Sequence, residues 1–113
     1  MKYALLIYSE PGTYDLPEDE RAAVLSEFEA LRDEPGYLAS AQLQPADMAT
    51  TVRRDNGQTL TTDGPFADTK EVFGGYYLYE ADNLDQATEM AARIPTLRIG
   101  GTIEVRPIMG QAS

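Results

Sequence analysis

Two stretches of this chain are apolar without alternation. Tyr3-Ala4-Leu5-Leu6-Ile7-Tyr8 is one, and Tyr76-Tyr77-Leu78-Tyr79, inside a run over 72–81, is the other. A strand with one wet face alternates apolar and polar side chains, so both are predicted as strands buried on two faces. Gly74-Gly75 interrupts the second run and predicts a bulge or a close backbone approach. Residues 102–108 form a further strand with clean alternation, and Pro107 is expected to put its end outside the ladder. A weaker strand over 37–43 is closed by Pro45.

Two segments change period from two to between three and four. Val24, Leu25, Phe28 and Leu31 define the inner stripe of a helix that opens at Pro17 with three acids and stops at Pro35-Gly36. Leu84, Ala87, Met90, Ala91 and Ile94 define a second stripe. Asn83 is its predicted cap, Gln86 the reciprocal partner, and Pro95 its end. Between the halves, threonine-rich runs over 49–54 and 58–62 flank Asp55-Asn56-Gly57, a strong hairpin signal. Both runs are polar, which places the hairpin at a sheet margin. Gly110-Gln111-Ala112-Ser113 reads as a tail.

The order is βαβ, a hairpin insertion, then βαβ, in a single domain over 1–113. That is the α+β, ferredoxin-like plan, in which two helices cover one face of a four-stranded antiparallel sheet. The central strands are apolar on both faces, and no segment is left to cover the second. A homodimer packed through the sheet faces is the expected cover.

Composition narrows the chemistry. The chain has neither cysteine nor histidine, which excludes disulfides, thiolate nucleophiles and a Ser-His-Asp triad within it. No cluster of carboxylates suggests a metal, no glycine-rich phosphate loop is present, and no cofactor is expected. The net charge of −10 disfavours nucleic acid and anionic membrane surfaces. The first seven residues are too short an apolar run for a signal peptide, and a cytoplasmic location is expected.

Candidate chemistry concentrates in Thr61-Thr62-Asp63-Gly64-Pro65-Phe66-Ala67-Asp68-Thr69-Lys70-Glu71. Asp63 suits the first position of a turn, yet Pro65 lacks the N–H that an Asx-turn needs. Asp63 must then find Phe66, another element or a ligand, and in a catalytic role it is a general base. Lys70 is read either as half of a solvated pair with Glu71, Asp63 or Asp68, or as an anion holder at a cleft mouth. Phe66 is expected to plug the core beneath the turn. Tyr8 and Tyr77 are either core and interface residues or an aromatic pocket wall with polar tips. Arg53 and Arg54, on the hairpin, are read as a solvated edge or as reaching a partner subunit.

Together with Leu5-Leu6-Ile7-Tyr8, Gly74-Gly75-Tyr76-Tyr77-Leu78, Ala91-Ala92-Arg93-Ile94-Pro95 and Ile103-Glu104-Val105-Arg106-Pro107, this stretch resembles the DGPF-domain proteins of the YCII-related group, over nearly the whole chain. The resemblance implies a dimeric α/β barrel with a cleft near the Asp-Gly-Pro-Phe turn. It implies a bacterial protein, often encoded beside an extracytoplasmic-function sigma factor. In YCII-related proteins a cleft histidine and aspartate are proposed as an acid–base pair. Asp63 is the position that matches the aspartate, and the histidine has no counterpart here. Two functions stay open: a small-ligand-binding or accessory protein, with Tyr8, Phe66, Lys70 and Tyr77 at the ligand, or a cofactor-free enzyme acting through Asp63.

Overall fold

The computed structural model describes residues 1–110. In chain order the elements are β1 (Lys2–Ser9), α1 (Glu18–Ala30), β2 (Tyr37–Gln42), β3 (Thr50–Asp55), β4 (Gln58–Asp63), β5 (Val72–Glu80), α2 (Leu84–Ala91) and β6 (Thr102–Pro107). Short 3-10 turns follow α1 at Leu31–Asp33, precede β3 at Ala46–Met48 and follow α2 at Pro95–Ile99. The main sheet has the order β2-β5-β1-β6 with antiparallel neighbours, which is the split βαβ arrangement.

Burial alternates along β1 and β5 even though residue type does not. Tyr3, Leu5 and Ile7 of β1 and Tyr77 and Tyr79 of β5 are buried with α2 residues Ala87, Met90 and Ala91 in one core. Ala4, Leu6 and Tyr8, with Tyr76 and Leu78, take the opposite face and are only half-buried. Within one chain the strands are therefore covered on one side, not two.

The bulge predicted at Gly74-Gly75 is present. Ile7 pairs with Gly75 and Tyr8 pairs with Phe73, so Gly74 is the extra residue. Gly75 lies under β2, and a methyl group there would stand 2.8 Å from the Ala41 carbonyl oxygen. Glycine is needed at this close approach of two backbones.

Both helix stripes lose one member. Leu25 is exposed while Val24 and Leu31 are buried, because consecutive residues lie about 100° apart on a helix and only one can face the sheet. Leu84, the first residue of α2, is exposed as well. Pro17 stands at the N-cap, one residue ahead of the first turn. The Asn83 side chain accepts from the Gln86 N–H at 2.9 Å, while Gln86 Oε1 accepts from the Asp82 N–H at 2.6 Å. The reciprocal bond therefore falls one residue earlier than a capping box places it. Pro107 stays inside the ladder opposite Tyr3, and the Ile108 N–H still donates to the Lys2 carbonyl at 2.8 Å. β6 is an edge strand, where proline is tolerated.

The hairpin departs most from expectation. β3 and β4 do not extend the main sheet at its margin; they form a separate two-stranded sheet. Asn56 and Gly57 both have positive φ, 49° and 78°, as a type I′ turn requires. Along β3 and β4 every side chain but Thr51 is exposed. The base of this arm is closed by the Gly64 N–H donating to the Ala49 carbonyl and by Thr51 Oγ1 donating to the Gly64 carbonyl, both at 2.7 Å. The whole is a slab of 46 × 41 × 18 Å with a radius of gyration of 15.9 Å. A compact chain of this length has about 13 Å. The excess fits a two-layer body with a protruding arm.

Candidate functional site

The root of the arm and one end of the open sheet face border a half-open cavity of about 620 Å³. Three chain segments meet there. Tyr8 and Phe73 come from the sheet, and their rings are 5.6 Å apart. Leu43, Gln44, Pro45, Ala46, Met48 and Ala49 come from the connection into the arm, and Pro65, Phe66, Ala67, Thr69 and Glu71 from the connection out of it. The walls are mostly apolar. Tyr8, Gln44, Thr69 and Glu71 supply the polar side chains.

Hydrogen bonds and one ion pair hold the exit segment at its far end. Thr69 Oγ1 donates to the Glu71 carbonyl at 2.6 Å. Thr102 Oγ1 lies 3.1 and 3.3 Å from the two Glu71 carboxylate oxygens. Lys70 Nζ pairs with Glu10 at 3.3 Å, neither with Asp63 nor with Asp68.

Tyr8 and Phe66 line the cavity; Asp63, Lys70 and Tyr77 are absent from its lining. Phe66 does not plug the core. It is 72% exposed and carries the Arg53 guanidinium 4.7 Å from its ring centre. The short Gly64-Pro65 turn holds Phe66 beside the arm, away from the sheet. Asp63 closes β4 opposite Thr50. Its carboxylate makes no hydrogen bond or ion pair among the described residues. Tyr77 faces the helices, is 4% exposed, and its hydroxyl donates to the Phe28 carbonyl at 2.8 Å. Burial pushes its pKa up to about 12, against a smaller lowering by the Arg32 charge.

Sequence reasoning missed Leu43, Met48 and Phe73 as wall residues. It also missed Glu71 as a lining carboxylate, since pairing the two ends of the arm in space is not a local signal. A second polar contact was equally silent. Tyr14 in the β1–α1 loop bonds through its hydroxyl to Thr96 Oγ1 at 2.6 Å, and burial raises its pKa. No group of three or more acidic side chains suited to a metal ion occurs among the described residues. No helix among them is long and apolar enough to cross a membrane.

A split-βαβ α+β domain with a cavity beside an Asp-Gly-Pro-Phe turn defines a class before it defines a protein. The chain belongs to the YCII-related domain family, whose model matches residues 1–111. An uncharacterized protein of Rhizobium meliloti is 36% identical over 116 residues, spanning 96% of this chain and 92% of that one. Among solved structures, 5-chloro-2-hydroxyhydroquinone dehydrochlorinase from Burkholderia phenoliruptrix, in complex with 2,5-dihydroxybenzoquinone, has a TM-score of 0.54 at 18% identity. The match covers 96% of this chain and 93% of that one, and at this identity the likeness is one of fold.

Proposed function

We propose that the protein binds a small organic molecule in the cavity at the root of the arm, and that it does so as a homodimer packed through the open sheet faces. The cavity carries the first part. About 620 Å³ falls within the usual range of small-molecule sites, and apolar walls with a few polar groups are their usual make-up. Tyr8 and Phe66 are walls, and Lys70 stands beyond the lining on the exit segment. Tyr77 acts from beneath by fixing β5 against α1. Ala4, Leu6, Tyr76 and Leu78, half-buried on the open face, support the second part, since a two-fold axis lets one apolar patch cover its own copy. Regulation beside a sigma factor, which the resemblance implies, is the accessory form of this reading. Co-purification of such a factor with tagged protein tests it.

A thermal-shift and calorimetric screen against small aromatics, lactones and quinones tests the binding. Hits are expected to weaken with Phe66→Ala and with Tyr8→Phe. A flat screen, or hits indifferent to both substitutions, overturns the reading. Sedimentation velocity tests the dimer: wild type is expected to sediment as a dimer at micromolar concentration and Leu6→Glu as a monomer. A monomeric wild type removes that part.

A second reading has its own observation. The Asp63 carboxylate has no partner among the described residues, and Pro65 denies it the turn N–H. A free carboxylate at the foot of the arm suits a general base in a cofactor-free enzyme. The fold-mate's dehydrochlorinase activity makes chloride release from 5-chloro-2-hydroxyhydroquinone a direct assay. Release by wild type and loss in Asp63→Asn, with ligand binding retained, supports catalysis. Equal background release by both proteins rejects this chemistry.

A further inference from the structure

The charge of the cavity selects among ligands that its walls alone admit. Three aromatic rings, those of Tyr8, Phe66 and Phe73, stand on its lining. Glu71 is the one charged side chain among the described lining residues. Two neighbouring cations are both engaged. Lys70, next in sequence, holds Glu10 at 3.3 Å, and the Arg53 guanidinium lies over Phe66. Thr102 offers Glu71 a single hydroxyl shared between its two oxygens, so most of the acceptor capacity of the carboxylate remains.

A carboxylate that pairs with no cation among the described residues, set among aromatic faces, favours positive charge. Ring faces carry negative potential and attract ammonium groups. An anionic ligand meets the Glu71 carboxylate and the field of a chain of charge −10 behind it. Phe66 already accepts one cation, the Arg53 guanidinium, on its ring.

We propose that this cavity selects organic cations: an amine, protonated at neutral pH, carried on an apolar body of about one ring. The ammonium lies against Glu71 and the aromatic faces, and the body lies against Leu43 and Met48. Glu71 is then the residue that sets specificity. The proposal rests on the cavity being the ligand site and adds the sign of the ligand.

Three probes of nearly equal shape separate the two. Benzylamine, benzyl alcohol and benzoate are titrated by calorimetry into wild type and into Glu71→Gln at neutral pH. Amide signals of Tyr8 and Phe73 report whether binding is at the cavity. In wild type, benzylamine is expected to bind about tenfold more tightly than benzyl alcohol, with benzoate weakest. Glu71→Gln is expected to shrink the preference for amine over alcohol to less than about threefold and leave the alcohol unchanged. Benzoate binding as well as benzylamine overturns the charge selection alone, as does a preference that survives in Glu71→Gln. No perturbation of Tyr8 or Phe73 by any probe overturns the charge selection and counts against the binding site as well. Glu71 lies on an exposed connection and the substitution keeps its shape, so loss of fold is not the expected result.

Discussion

The sheet body and the arm are built from the same kind of element and are stabilised in different ways. β1 alternates buried and half-buried positions, with Leu5 fully buried between two neighbouring strands and under helices. β3 and β4 have a type I′ turn and a six-residue ladder, and no face packed against the described body. A lone two-stranded hairpin is marginal in water. The body therefore holds the fold, and the arm depends on its root, which is where the cavity lies.

The largest expected effect separates the two regions directly. Leu5→Ala should cost about 2–5 kcal/mol of unfolding free energy, whereas Val52→Ala on the arm should fall within about 0.5 kcal/mol. Urea denaturation of both variants checks this. A cost at Val52 comparable to that at Leu5 breaks the comparison and shows the arm to be covered in the assembled protein.

Glycines sharpen the comparison at the next level. Gly36 in the body has φ +92°, and a methyl group there would overlap the Glu80 carbonyl and stand 2.9 Å from the Tyr79 ring. Gly64 at the arm root has φ +99° and open space around it. Gly64→Ala should cost about 1–2 kcal/mol, from backbone strain alone. Gly36→Ala should exceed it by about 1–3 kcal/mol of overpacking. Equal melting temperatures for the two variants count against the close contact at Gly36.

A smaller effect lies at high pH. Tyr77 keeps its proton in the folded chain up to about pH 12, against 10.0 for an ordinary tyrosine. Between these values the unfolded chain holds fewer protons than the folded one, so stability falls as pH rises through that window. Below pH 10 the contribution is complete. Tyr77→Phe should lessen this alkaline loss, and ultraviolet titration of wild type should show one tyrosine ionising last.

The smallest effect concerns Glu34, whose pKa is lowered by its hydrogen bond from Arg93 on the surface of the body. Its contribution is present above the ordinary carboxylate pKa and is lost as pH falls through the lowered folded value. Glu34→Gln should flatten that acid limb slightly. No change between pH 5 and 2 would show the pair to be fully screened.

Local chemistry was legible in the sequence where it is self-contained. Asn56-Gly57 set the hairpin through positive φ, Asn83 the second helix start through its side-chain cap, and Gly74-Gly75 the bulge beside a close backbone approach. The split βαβ order followed from counting elements. The non-local contacts were not legible. Lys70 reaches back sixty residues to Glu10, and Phe66 turns outward to Arg53. The unalternating apolar runs showed a second face that the chain itself leaves half open; what covers that face was not legible, because residue type records what a surface tolerates and not what finally covers it.

The extra residue in β5 has one more consequence. A strand shows its side chains to two faces in strict turn, and Gly74 shifts that turn by one position. Even-numbered residues such as Tyr76 and Leu78 share the open face with odd-numbered Phe73. Gly74 itself has no atom within 4 Å of where a methyl group would stand, and its carbonyl still accepts from the Leu43 N–H at 2.9 Å. Position 74 thus opens on free space, flanked in sequence by the wall residue Phe73 and tied through its backbone to the wall residue Leu43. A side chain introduced at position 74 would meet nothing among the described residues, so the strand can be altered next to a wall residue at little cost to the sheet.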